Sequence, residues 1–298
     1  MQKTKTEYQF ATGEIEFTLT SDLMFHYVMQ ESKGALISLV CALKGIPQSD
    51  VKDIIVLNPI SLNSDAKETI MDLKLILNND EIINIELQMY LDDFWIGRSI
   101  LYLCRAYDSI GEGDNYSLLK PTTHICITDK DLIEGADDFY SRYLLMDVKN
   151  YKPYSTDFGI NVLQLNHIDK ATKEDIDNDL VYWAKLFKVK TWEKFKALAD
   201  GNVIIEEVGN LIYEVNADTQ AKELMEGRRR YREQLATSYA AGEIKARKEL
   251  SAIIADKDAA IADKDATIAA DKATIADKDS TIANLMARIA ELEEQNKP

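Results

Sequence analysis

The chain has 298 residues, 46% of them hydrophobic, enough for one large or two modest domains with a real core. Its formal net charge of −16 excludes a surface that attracts nucleic acid at large and confines any such contact to local basic clusters. The first residues lack the apolar run of a secretory signal, and "ALISLVCAL", the longest apolar run, is far short of the roughly 20 residues needed to cross a bilayer.

In chain order, "TSDLMFHYVM" predicts a helix, with Thr20 or Ser21 as N-cap and Leu23, Phe25 and Val28 on its apolar side. A second helix, "GALISLVCALKG", stops at Gly45. "DIIVLNPI" reads as a strand that ends near Pro59, and two further strands follow in "IMDLKLILNNDEIINIELQMY". "DDFWIGRSILYLCRAYDSI" has helical periodicity, with Phe94, Ile100, Leu101, Leu103 and Cys104 as its expected buried stripe. "THICIT" adds a strand, as does the stretch from 158 to 168, and beyond Lys173 the chain turns mostly helical. The order helix, three strands, helix, strand predicts a mixed α/β domain.

From Ser251 onward isoleucine recurs every seventh residue, at Ile254, Ile261, Ile268, Ile275, Ile282 and Ile289. A seven-residue period predicts a coiled-coil-like helix that joins copies of the chain into a homo-oligomer. The position three residues on is polar until Leu285 and Leu292, so a solvated helical spacer is the competing reading. This tail holds 10 acidic and 6 basic residues, which leaves −12 on the first 250 residues. Cys41, Cys104 and Cys126 lie in apolar runs without metal-like spacing and read as reduced core residues of a cytoplasmic protein.

The strand pair holds the chemistry. Leu73, Leu75 and Leu77 share one face of the first strand, Asp72 and Lys74 the other; Ile83, Ile85, Leu87 and Met89 oppose Asn84, Glu86 and Gln88 on the second. A three-residue loop over 78–80 pairs Leu77 with Glu81 and sets Asp72 directly opposite Glu86, about 5 Å apart at Cβ. A two-residue turn scrambles both faces. Two carboxylates so placed repel, and either one keeps a proton or a cation sits between them; hard oxygen ligands suit Mg2+, Mn2+ or Ca2+. The competing reading is an ordinary solvent-facing side of a hairpin, where acids are commonplace.

The arrangement D-x13-E-x-Q (Asp72, Glu86, Gln88), after "SDLMFHYV" and before "R-x3-Y-x2-R", resembles the PD-(D/E)XK nuclease family transposases, also called recombination-promoting nucleases. "LNP" ahead of the motif, "GEGDNYSLLKPTTHICI" after it and "RRRYREQ" before the repetitive tail extend the likeness. The resemblance implies a restriction-endonuclease-like core and Mg2+-dependent cleavage of DNA phosphodiesters, in recombination, transposition or defence against foreign DNA. It implies Asp72 and Glu86 as metal ligands, with Asp22 as a further one. It also implies Gln88, in place of the motif's usual lysine, as the catalytic residue that orients the attacking water by hydrogen bonding, with Lys74 able to compensate from the facing strand for the missing charge. Met71 stands where the motif has proline. Arg98, Tyr102 and Arg105 share a helix face and, with Arg228, Arg229 and Arg230, are the local basic groups to contact DNA; salt bridges to acidic neighbours are the alternative use of these arginines. His26, His124 and His167 are scattered, and no chemistry is assigned to them; His124 opens a buried-looking strand and reads as structural. The expected organisation is a nuclease-like core over 1–170, a helical extension over 171–250 and the heptad tail over 251–298. The rival function is an inactive relative that kept the fold as a DNA-binding or assembly module, which the acidity and the missing lysine favour.

Overall fold

In a computed structural model the chain is described over residues 7–60 and 72–295, so Met71 lies outside the described residues. It divides into two compact units, Met1–Gly227 and Arg228–Pro298.

In the first unit, helix α1 (Asp22–Glu31) starts after Ser21. Helix α2 (Lys33–Lys44) follows one residue later, capped by Ser32, whose hydroxyl accepts from the Ala35 N–H. It ends on Gly45 at φ 65°, a left-handed conformation open to glycine at no Cβ cost.

Strands β1 (Ile54–Val56), β2 (Leu73–Leu77) and β3 (Glu81–Gln88) form an antiparallel meander. The β2–β3 hairpin closes through three residues with Leu77 paired to Glu81, the register that the hydrophobic alternation predicts. Asn78 and Asn79 take φ of 54° and 56°, a region that asparagine tolerates better than most L-residues. The Asn78 side chain also ties the loop down. Its Oδ1 accepts from the Lys52 and Asp53 N–H groups, and its Nδ2 donates to the Asp50 carbonyl.

Helix α3 (Trp95–Tyr107) then connects β3 to β4 (Thr122–Thr128), which runs parallel to it. After β5 (Tyr140–Leu144) and a small hairpin of β6 (Met146–Asp147) and β7 (Lys152–Pro153), β8 (Phe158–Gln164) inserts between β4 and β5. The sheet order is β1-β2-β3-β4-β8-β5. This is the mixed α/β core expected from the sequence.

β3 lies between β2 and β4, so both of its edges are paired, and helices cover both of its faces. Leu73, Leu75, Ile83, Ile85, Ile125 and Ile127 all point into the main core. That core is shared with α1, α2 and the later helices α5 (Leu180–Lys188), α6 (Trp192–Ala199) and α7 (Val203–Ala217), through Trp183, Phe187, Phe195 and Val208 among others. Between β8 and α5, Thr172 and Asp175 form a capping box on the short α4 (Lys173–Asp177). The opposite sheet face lies under α3, where Trp95, Cys126 and Val162 make a smaller apolar cluster.

The buried stripe of α3 differs from the expected one. Trp95, Ser99, Leu103 and Ala106 face inward, while Phe94, Ile100 and Leu101 are 82%, 49% and 46% exposed and Cys104 is exposed as well. The reason is that α3 covers the polar face of the sheet, so its inward side turns Trp95 and Arg98 toward Glu86 and leaves Phe94, Ile100 and Leu101 outside. Cys104 is thus a correction to the core reading of the cysteines; Cys41 and Cys126 are buried, and all three are free thiols.

Helix α8 (Thr219–Gln295) is a single continuous helix that supplies the second unit. Its six heptad isoleucines are between 50% and 57% exposed. No helix among the described residues is long and apolar enough to cross a membrane.

Candidate active site

Asp72 lies one residue ahead of β2, in line with Glu86 by the register that pairs Leu73 with Ile85. Asn58, from "LNP", holds that position from the side: its Nδ2 donates to the Asp72 carbonyl (2.6 Å) and its Oδ1 accepts from the Lys74 N–H (2.8 Å). The backbone on both sides of the Asp72 side chain is therefore fixed by one residue.

Glu86 is 6% exposed, Gln88 8% and Asn84 6%. The polar face of β3 is thus buried beneath α3, which removes the solvent-facing hairpin reading for Glu86. Burial of a carboxylate requires partners, and the structure supplies them. Arg98 Nη2 donates to Glu86 Oε1 at 2.7 Å, and His124 Nε2 and Trp95 Nε1 lie 3.3 and 3.4 Å from Oε2. On the Asp72 side, Asn84 Nδ2 donates to Oδ2 at 3.1 Å and also lies 3.0 Å from His124 Nδ1. With the amide donating to it, Nδ1 is the acceptor, and the network assigns the ring proton to Nε2, facing Glu86. Asn84 and His124 therefore link the two carboxylates.

The environments drive the two acids apart. Burial and the neighbouring charge of Glu86 raise the Asp72 pKa, against the hydrogen bond from Asn84 and the more distant His124 and Arg98. Burial pushes Glu86 up as well, but the hydrogen bond from His124 and the Arg98 charge overcome it and hold the carboxyl below its ordinary range. A pair split in this way is the electrostatic pattern of a site with distinct acid and base roles.

Gln88 is engaged at both ends of its amide: Oε1 accepts from Arg98 Nη2 at 2.5 Å and Nε2 donates to the Tyr90 carbonyl at 2.6 Å. Arg98 Nη1 also donates to Asp92 Oδ2 at 2.5 Å. Lys74 pairs across from Asn84 and shares the face of Asp72; among the described residues its ammonium has no ion-pair partner.

Other expected residues are placed as follows. Asp22 is buried at the start of α1, with Oδ1 accepting from the Leu23 N–H. Among the described residues no group of three or more His, Cys, Asp or Glu side chains is arranged to hold a metal ion. Arg98 is committed to Glu86, Asp92 and Gln88, the salt-bridge use of that arginine, and Arg105 is exposed. Tyr102 is half-buried, its ring edge-on to His124 at 6.2 Å and 5.9 Å from the Arg98 guanidinium carbon. Arg228, Arg229 and Arg230 lie on α8, with Arg229 3.9 Å from Glu233.

Sequence reasoning missed Asn58, Trp95 and His124. Asn58 was visible inside "LNP", whereas His124 comes beside Asn84, on the face of Glu86, only through the parallel β3–β4 pairing. Trp95 opens α3 and had no signal beyond its size.

The donors suit a divalent ion. Two hard carboxylates share one face, and burial together with the neighbouring charge of Glu86 raises the Asp72 pKa.

Comparison with curated proteins and with solved structures returns no match. The mixed sheet with its flanking helices fits a restriction-endonuclease-like fold. The family model described as PD-(D/E)XK nuclease family transposase matches residues 19–240, from the approach to α1 into α8, and the chain belongs to that family.

Proposed function

We propose that this chain is a Mg2+-dependent DNA endonuclease, serving in recombination, transposition or defence against foreign DNA. The family suggests a nuclease, and its members generally use divalent metal ions. The observation that carries the reading is the pairing of Asp72 with Glu86 on a buried polar face, with their pKa values pushed in opposite directions.

In this reading Asp72 and Glu86 hold the ion, with Asp22 a further carboxylate assigned to it. The ion supplies Lewis-acid charge and a nucleophile at neutral pH. Asn58 and Asn84 fix where the Asp72 oxygens point, and His124 and Trp95 keep Glu86 ionised and oriented. Gln88 closes the site toward α3, and Lys74, on the open side of the same face, stabilises charge that develops on the phosphate. Arg105 and Tyr102 on α3, and separately Arg228, Arg229 and Arg230 on α8, are the DNA contacts of the proposal. The heptad isoleucines of α8 join copies of the chain, and the protein works in the cytoplasm. The division into 1–170, 171–250 and 251–298 describes these roles: chemistry, support and association.

Nicking of supercoiled plasmid with Mg2+ or Mn2+ tests the reading. Wild type nicks, and Asp72→Ala does not; equal behaviour of the two removes the nuclease assignment. A second reading, an inactive relative that binds DNA or assembles through its tail, draws on the engagement of both Glu86 oxygens and both ends of the Gln88 amide. It expects DNA binding without metal-dependent nicking.

A further inference from the structure

Phosphodiester cleavage builds negative charge on the phosphate as the new bond forms, and a site of two carboxylates adds to that charge rather than offsetting it. The permanently charged group seated at the pair is Arg98. It is aimed by three acceptors, two on β3 and one in the loop before α3: Glu86 Oε1 at 2.7 Å, Gln88 Oε1 at 2.5 Å and Asp92 Oδ2 at 2.5 Å. Its Cζ also sits 5.9 Å from the centre of the Tyr102 ring. The side chain keeps 31% exposure. Nη2 spends its donors on Glu86 and Gln88, but Nη1 donates to Asp92 alone and retains an N–H for a phosphate oxygen.

Gln88 changes meaning in this setting. Its carbonyl is spent on Arg98 and its NH2 group on the Tyr90 carbonyl, so the amide serves the arginine before it serves a water. A lysine here would set a second cation against the guanidinium.

We propose that Arg98 is the phosphate-binding cation of the site and that Gln88 acts through it, as its positioning residue. The proposal rests on the nuclease reading and deepens it. It assigns to α3 the charge that Lys74, whose ammonium has no ion-pair partner among the described residues, supplies less well.

The test is single-turnover nicking together with duplex affinity in EDTA, measured by fluorescence anisotropy, with a melting curve for every variant. Arg98→Met lowers the nicking rate about 10²–10³-fold and weakens metal-free duplex binding. Arg98→Lys loses less, and added guanidinium restores part of the rate of Arg98→Ala. Gln88→Ala shows the same two losses in milder form while melting like wild type. Gln88→Lys is impaired, and the double variant Gln88→Lys/Arg98→Met is faster than Gln88→Lys alone, because one cation then occupies the place that two contest. A purely structural arginine predicts unchanged metal-free duplex affinity in Arg98→Met and in Gln88→Ala.

Arg98→Met nicking within about twofold of wild type, or a double variant no faster than Gln88→Lys, overturns the proposal and leaves the nuclease reading intact. If Arg98→Met fails to fold, unchanged nicking and duplex affinity in Gln88→Ala overturn it instead. If wild type shows no Asp72-dependent nicking, the nuclease reading falls by itself, and the metal-free duplex affinity of Arg98→Met still decides whether Arg98 binds phosphate.

Discussion

Asp72 and Glu86 stand in line across one antiparallel strand pair, yet they occupy opposite electrostatic states. Asp72 is held toward its neutral form by burial and by the charge of Glu86. Glu86 is held ionised by His124 and Arg98. The same face thus contains one carboxylate already matched with cationic and N–H partners and one that lacks them.

Stability should therefore fall as pH rises through the Asp72 transition. The folded pKa of Asp72 is raised above its unfolded value, so the folded state binds the extra proton. Its contribution is fully present below the ordinary aspartate range and is lost toward the raised folded value. Asp72→Asn removes this term and melts higher than wild type at neutral pH. Thermal melts of both proteins from pH 4 to 8 check it; a lower melting point for Asp72→Asn at neutral pH contradicts it.

Glu86 runs the other way. Its folded pKa is depressed, so its stabilisation is present above the ordinary glutamate range and disappears as pH falls through the folded value. His124→Phe removes the hydrogen bond that the largest downward shift depends on and leaves Asn84 and Glu86 each short of a partner. The expected cost is about 1–3 kcal/mol, read by urea denaturation at pH 7. The acid limb of the nicking profile should also move to higher pH.

Asn58→Ala should lower nicking at least about tenfold with only a modest change in melting temperature. Asn58 touches only the backbone at Asp72 and Lys74, so its loss misplaces the Asp72 carboxylate without altering any charge. A variant as active as wild type would show that the strand holds Asp72 without it.

Added Mg2+ should raise the melting temperature of wild type by preferential binding to the folded state. The shift should vanish in Asp72→Asn and shrink in Asp22→Asn if Asp22 also binds the ion. An equal shift in all three proteins would place the ion elsewhere.

The tail makes a separate prediction. If the heptad isoleucines join copies of the chain as proposed, Ile261→Asp together with Ile275→Asp should leave only monomer in analytical ultracentrifugation, because each places charge at an isoleucine position of the repeat. Nicking of a single strand should survive in that variant, as no residue of the carboxylate site lies on α8.

The hairpin register was legible in sequence because strand parity leaves little choice once Leu73, Leu75 and Leu77 must share a face with Ile83 and Ile85. The orientation of α3 was not. Periodicity marks the side that apolar residues prefer, and the inward side of α3 carries Ser99 and turns Arg98 toward the carboxylates, while Phe94 and Ile100 face out. The role of His124 was hidden for a related reason. It follows from a parallel pairing with β3 across a helical connection, which no local pattern encodes.

Asn78 and Asn79 carry no chemistry, yet they count the residues between the two carboxylates. Losing or gaining one codon there would exchange the faces of one strand relative to the other, sending either Glu86 toward the aliphatic core or the leucines toward α3. A three-nucleotide slip at the loop would therefore dismantle this buried face as surely as a change in the acids themselves, and the loop's length is as much a condition of the face as its carboxylates are.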